Sequence, residues 1–427
     1  MISVQELRQA IAESRDLGTT VPVSRNDYFS WLSQGSKSRL IKAVVGFRRS
    51  GKSFLLKMLS KSLIEKGLAV ENIFYLNFEN DLLQNIKTVS DLRHIWEIYL
   101  RELANVNKPI YIFWDEIQMV KNWEKLVRTL YEQGKYNIFI SGSNSQLLSG
   151  ELSSSLSGRS LNLEIKPFSF TEYLQYLKLD HNDYYSQKSA IDSAFAIYLQ
   201  RGGLCEQFNL KDSLAANYSE GLVQKIILDD IIKRYNIDNV NLLKETFSFV
   251  RGNITSTLSL RRIVGRLEEQ GLSVAPTTIE NYLRYWTSAY ALEKLTKFDY
   301  KLSRVFNRTA KYYLVDNIFI PGREENKEKR LENLVYNELV RRYGRENIYF
   351  GQEENGYEVD FLINKDYHYL AFQVCLSLNE NNSKREFGNL EFVKKHLDSK
   401  GVVLYLDKEI GLDGNSPAKP VIEWLLA

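Results

Sequence analysis

From Leu40 to about residue 170, short apolar runs alternate with stretches whose apolar residues recur every three or four positions. The runs, rich in β-branched and aromatic residues, predict strands at 40–46, 72–79, 109–115, 136–142 and 161–165. The stretches between them predict helices at 53–66, 90–104 and 122–133. Such alternation builds a parallel sheet with helices on both faces, and ligands then lie beyond the strand C-termini. Residues 1–38 read as a helix and a polar lead-in, and 171 to about 250 as helical throughout, broken at Arg201-Gly202-Gly203.

The pattern changes after residue 251. One helix starts within Leu258–Val264 and closes near Gly271; a second opens on Ala275-Pro276-Thr277-Thr278, where proline suits the first helical turn. Two β-rich stretches follow, at 292–298 and 311–315. Two short helices and a hairpin read as a winged helix-turn-helix, with Arg261, Arg262, Arg266 and Arg284 available to DNA phosphates. The last hundred residues predict a further α/β unit: a helix at 330–342, strands at 347–350, 357–363, 369–375 and 402–406, a turn at Asn364-Lys365-Asp366, and a helix near 386–397.

Chemistry enters with Gly46-Phe47-Arg48-Arg49-Ser50-Gly51-Lys52-Ser53, which fits G-x-x-x-x-G-K-[ST] between a predicted strand and a predicted helix. The glycine turn and helix N-terminus, Gly46 to Phe54, bring backbone N–H groups to a polyphosphate. Lys52 is expected to reach the β- and γ-phosphates of ATP, and Ser53 to ligate Mg²⁺. The strand at 109–115 ends in Asp115-Glu116. Asp115 is the expected second holder of Mg²⁺, and Glu116 the base that orients and deprotonates water. Past the next strand, Ser143 and Asn144 either contact the γ-phosphate and water or make an ordinary turn.

Composition sets bounds around this core. A chain of 427 residues that is 44% hydrophobic holds two or three domains with real cores. Its seven prolines and lack of low-complexity tracts argue against long disordered linkers. A net charge of +3 neither demands nor excludes nucleic acid. Cys205 and Cys375 form neither a metal spacing nor a disulfide framework, which suits a reducing cytosol. With no signal-like start and no long apolar run, a cytoplasmic protein without membrane partners is expected.

Taken in order, these motifs resemble those of a large group of bacterial and archaeal AAA+-like ATPases that join a P-loop core to a winged helix and a C-terminal PD-(D/E)xK nuclease-like domain. The resemblance rests on Gly46–Ser53, Trp114-Asp115-Glu116-Ile117-Gln118, Ser141-Gly142-Ser143-Asn144, Leu156-Ser157-Gly158-Arg159, Lys166–Tyr173, Arg201-Gly202-Gly203 and Glu358-Val359-Asp360-Phe361 before Gln373-Val374. It implies an α/β fold with an AAA+-type sheet and five regions: 1–38, 39–170 (ATPase core), 171–250 (helical), 251–322 (winged helix) and 323–427 (nuclease-like, degenerate). It further implies a homo-oligomer, with a hexamer among the forms admitted. An arginine donated between subunits is part of that picture, Arg159 first and Arg201 second. In the nuclease-like domain Asp360 and Gln373 match metal-holding positions and Glu332 can add an oxygen. The lysine of that motif is missing, its place being taken by Cys375, and Lys365 in the turn is a poor substitute. An ATP-driven motor or switch on DNA is the expected function. The alternatives are a nucleotide switch acting on proteins in signalling or phage defence, and an ATP-gated nuclease.

Overall fold

The computed structural model describes residues 2–18, 23–143, 158–299, 304–322, 324–352, 356–366, 368–411 and 416–427. They form two compact units, Met1–Lys166 with Ser288–Tyr290, and Pro167–Thr287 with Ala291–Ala427.

The first unit begins with two helices rather than one, α1 (Val4–Arg15), closed at its start by a Ser3–Glu6 capping box, and α2 (Asn26–Gly35). Five strands follow: β1 (Ile41–Val45), β2 (Ile73–Asn77), β3 (Ile110–Asp115), β4 (Tyr136–Gly142) and β5 (Ser160–Glu164). They lie in the order β2-β3-β4-β1-β5, every neighbouring pair parallel. Helices α3 (Lys52–Glu65), α4 (Val89–Glu102) and α5 (Trp123–Gln133) connect them. β1 is buried at every position, Lys42 included, as expected of a strand covered on both faces. One core layer packs Leu55, Leu56 and Leu59 of α3 and Leu32 of α2 against Val44, Tyr75 and Phe113. Aromatic stacking of Phe74 on Tyr99, 4.2 Å between ring centroids, ties α4 to β2. Because all five strands run the same way, their C-terminal ends share one edge of the sheet.

The second unit starts with helices: α6 (Phe170–Tyr176), α7 (Lys188–Arg201), α8 (Asp212–Leu222), a π-helical stretch at Val223–Asp229, α9 (Asp230–Tyr235) and α10 (Val240–Gly252). Next come the short strand β6 (Thr257–Leu258), helices α11 (Leu260–Glu269) and α12 (Pro276–Ser288), and the hairpin β7 (Leu292–Asp299) with β8 (Arg304–Leu314). Then follow α13 (Lys327–Tyr343), β9 (Ile348–Gln352), β10 (Glu358–Lys365), β11 (His368–Leu378), α14 (Glu380–Leu397), β12 (Lys400–Lys408), β13 (Ala418–Pro420) and α15 (Val421–Leu426).

All these strands join one mixed sheet, β13-β12-β11-β10-β9-β7-β8-β6. The bridge is a short parallel pairing of Lys297 and Phe298 with Phe350 and Gly351. The sheet is therefore continuous across residue 322, where the sequence pattern suggests a boundary. α13 packs on one face through Leu331, Val335 and Leu339, and α14 on the other through Leu390 and Val393.

Candidate functional site

The loop between β1 and α3 is shaped for a backbone cradle. Gly46 has φ 137° and Gly51 φ 97°, conformations glycine adopts without strain. A Cβ on Gly46 would lie 2.2 Å from the Ile165 carbonyl oxygen, so no larger residue fits. Gly51 caps α3 with no side-chain hydrogen bond, which leaves the first-turn N–H groups without a capping side chain. Lys52 Nζ, buried, donates to the carbonyls of Gly46 and Phe47, both at 3.1 Å, and stands 3.7 Å from Glu116 Oε1. The hydroxyl of Ser50 is buried with no hydrogen-bond partner among the described residues. Phe47 is buried, Phe54 half-buried and Arg49 exposed with φ 66°. Arg48 pairs with Glu79 just past β2.

Asp115 and Glu116 close the site from the end of β3. Asp115 is fully buried; the hydroxyls of Ser141 and Ser53 hydrogen-bond its carboxylate, and Tyr75 Oη lies 3.3 Å from Oδ2. Burial, reinforced by Glu116, raises its pKa above the ordinary carboxylate value. Glu116 sits at φ 53°, its N–H donating to Ser141 Oγ at 3.2 Å. Burial works against its charge, but Lys52, Gln118 and Ser143 together hold its pKa below the ordinary value. The buried hydroxyl, the open helix start and the Ser53–Asp115 pair fit a polyphosphate with Mg²⁺.

The structure thus brings Gly46 through Ser53, Asp115, Glu116 and Ser143 together at one sheet edge. Asn144 lies outside the described residues. Arg159 is elsewhere: its carbonyl accepts from Ile41 N–H at the start of β1, the edge opposite the P-loop. It has an acidic neighbour that the local sequence does not reveal, Glu132 at 3.2 Å. Arg201 Nη1 donates to the Leu210 carbonyl of its own chain at 2.8 Å.

Sequence reasoning missed Ser141, Tyr75 and Gln118, whose roles follow from neighbouring strand ends. It also missed Arg25, ahead of α2 and 2% exposed. Its guanidinium donates to the Ser50 carbonyl at 2.7 Å and the Lys166 carbonyl at 2.8 Å, and lies over the Tyr28 ring at 4.5 Å.

In the second unit, Arg261, Arg262 and Arg266 are exposed on α11 and Arg284 on α12. Arg266 pairs with Glu269 at 2.8 Å, and Arg284 donates to Asn281 at 2.9 Å. Of the metal-holding set expected at Glu332, Asp360 and Gln373, the two carboxylates both lie 3.5 Å from Lys311 Nζ. Gln373 Oε1 accepts from the Asp360 N–H at 2.9 Å and its amide donates to Glu386 at 2.6 Å, so its oxygen is already engaged. Cys375 packs among Phe298, Val359, Leu362, Ala371 and Leu390, and burial pushes its thiol up to about 12. Lys311 on β8 stands between Glu332, Glu358 and Asp360. Among the described residues no group of three or more His, Cys, Asp or Glu side chains is disposed to hold a metal ion.

Comparison with known proteins places this geometry. An AAA domain model matches residues 38–174, and two domains of unknown function match 192–319 (DUF8612) and 327–420 (DUF4143). An uncharacterised protein of Haemophilus influenzae is 31% identical over 408 residues, covering 95% of this chain and 98% of the relative. One from Methanocaldococcus jannaschii is 33% identical over 372 residues, covering 84% and 79%. The chain belongs to the family of these two proteins. Its first unit has the parallel-sheet fold of a P-loop AAA domain. The Walker-type ATPase of Pyrococcus abyssi is similar at 14% identity with a TM-score of 0.47, covering 69% of this chain and 94% of that one. No helix among the described residues is long and apolar enough to cross a membrane.

Proposed function

We propose that this AAA-class chain is a Mg²⁺-dependent ATP hydrolase that acts as an ATP-driven motor or switch on DNA. The observation that carries the hydrolase is the convergence of Lys52, Ser53, Asp115 and Glu116 at one sheet edge. Mg²⁺ bound with ATP neutralises charge on the phosphates. Lys52 exchanges its loop carbonyls for phosphate oxygens. Ser53 and Asp115 would hold the Mg²⁺, with Ser141 and Tyr75 orienting Asp115. Glu116, kept ionised by its neighbours, takes the proton from the attacking water. Glu116→Gln should bind ATP as wild type does and lose at least about a hundredfold in turnover, because an amide accepts no proton. Wild-type turnover in that variant overturns the assignment.

The DNA reading rests on exposed Arg261 and Arg262 beside two helices and a hairpin, α11, α12, β7 and β8, which we read as a winged helix. Contacts to phosphates make binding strongly salt-dependent and weakly sequence-specific. Reversing both arginines to Glu should weaken every DNA sequence alike. A second reading, action on protein partners in signalling or defence, is favoured by α12, whose exposed positions Pro276, Thr277, Glu280 and Arg284 carry one acid and one base. Absence of DNA binding at low salt and of DNA-stimulated turnover selects it. The active form is proposed to be a cytoplasmic homo-oligomer, a hexamer among the candidates, with Arg159 acting on a neighbour's nucleotide. The C-terminal part is proposed to have a nuclease-like fold that does not cut.

A further inference from the structure

Lys311 is 3% exposed, and a buried ammonium is costly unless carboxylates surround it. Its Nζ lies 2.8 Å from Glu358 Oε1 and 3.5 Å from both Glu332 Oε1 and Asp360 Oδ1. Neighbouring donors hold the same carboxylates. Tyr313 donates to Glu332 Oε1 at 2.8 Å, Val374 N–H to Asp360 Oδ2 at 2.9 Å, and Gln352 to Glu358 Oε2 at 3.3 Å. These residues come from β8, α13, β9, β10 and β11, so the cluster joins the hairpin to the C-terminal strands. Phe350, whose ring centroid is 5.7 Å from Nζ, stands on one side.

A hard divalent cation draws oxygens in to about 2.1–2.6 Å and needs six or more of them. The oxygens here stand at hydrogen-bonding distances around a nitrogen instead. Burial opposes the charge on Lys311, but Glu332, Asp360 and Glu358 outweigh it and raise the ammonium above the ordinary lysine value. Burial, with mutual repulsion, also pushes Glu332 and Asp360 up. The two effects are compatible. One ammonium faces three carboxylates, and the two that are largely enclosed, Glu332 and Asp360, hold a proton more firmly than an ordinary carboxyl does.

We propose that the second unit carries a self-filled cation site: the Lys311 ammonium occupies the point where Glu332, Glu358 and Asp360 converge and excludes divalent metal. The carboxylates that resemble a nuclease's metal ligands serve here as an internal ion cluster. It pins β8 to α13 and β10. A metal ion and the ammonium compete for the same oxygens, so removing the ammonium opens a site for a hard divalent cation. The proposal is independent of ATP hydrolysis, which concerns the other unit.

The test counts Mn²⁺ bound to the nucleotide-free full chain by electron paramagnetic resonance, at neutral and mildly alkaline pH. Lys311→Met keeps the length of the side chain and removes its charge. That variant is expected to bind one more ion per chain than wild type, and Lys311→Met/Asp360→Asn to lose it. Wild type and Glu358→Gln, a change at a 36% exposed side chain, should bind alike. A folded Lys311→Met with no additional ion overturns the proposal. So does any Mn²⁺ that wild type holds and Glu358→Gln releases. If neither Lys311→Met nor Lys311→Gln folds, the comparison of wild type with Glu358→Gln still decides: equal binding supports the filled site and lost binding refutes it.

Discussion

Arg25 offers the sharpest test of how the P-loop is held, because it lies outside the matched AAA domain and nothing in its neighbourhood marks it. Its guanidinium makes two bonds to buried carbonyls, Ser50 at 2.7 Å and Lys166 at 2.8 Å. Tyr28, under the same guanidinium, accepts the Lys166 N–H at 3.4 Å. One side chain therefore clamps the phosphate loop to the chain leaving β5. Hydrogen bonds from a charged donor contribute about 1.5–3 kcal/mol each. Removing them strands two carbonyls, while removing the buried charge relieves part of its desolvation cost. For Arg25→Met the net loss is expected to be about 3 kcal/mol, which in a unit of this size lowers its melting temperature by roughly 6–12 °C. The residue touches the loop and not the reacting atoms, so KM for ATP should rise by about tenfold with kcat nearly unchanged. Arg25→Lys, which can reach only one carbonyl at a time, should recover less than half of each effect. Calorimetry and steady-state turnover check both numbers. An Arg25→Met protein with wild-type melting and wild-type KM would refute the clamp.

Gly46→Ala places a Cβ 2.2 Å from the Ile165 carbonyl at φ 137°, whereas at Gly51 the nearest atom is an Arg25 side-chain nitrogen at 3.5 Å. Gly46→Ala should therefore cost more than about 3 kcal/mol and abolish ATP binding, and Gly51→Ala only the strain of about 1–3 kcal/mol; thermal melts with and without nucleotide separate them. Lys42, fully buried in β1 with its Nζ 3.0 Å from the Ser38 carbonyl, is pushed by burial down to about 8 from 10.5. The unfolded chain then binds the proton more tightly between those values, so stability rises with pH across that window, by up to roughly 3 kcal/mol. Lys42→Met should flatten that rise in urea melts taken at successive pH values; an unchanged slope counts against the depressed lysine. Mixing Arg159→Ala with Glu116→Gln protein should restore part of the turnover if arginine is donated between subunits, and co-assembled mixtures without recovery exclude Arg159.

What the sequence determined by itself was local and periodic. β1 and β3 are mostly apolar runs, Gly46 to Ser53 is a contiguous loop, and Asp115-Glu116 terminates a strand, so spacing along the chain was enough to find them. Parallel strands then force the P-loop and the acidic pair onto one edge. Helix α12 opens on Pro276 as its turn chemistry requires.

What only the tertiary structure decided was which distant side chains meet. Ser141 reaches Asp115 across neighbouring strands, and Arg25 reaches Ser50 and Lys166 through the packing of the segment before α2. Lys311 lies far along the chain from Glu358 and Asp360, and its strand is separated from β10 by β7 and β9. No motif spacing encodes that contact. A search along β11 finds Cys375 where a lysine was expected and takes the cation for lost. Carboxylates withdrawn from water require a positive partner, and the folded chain brings one from β8.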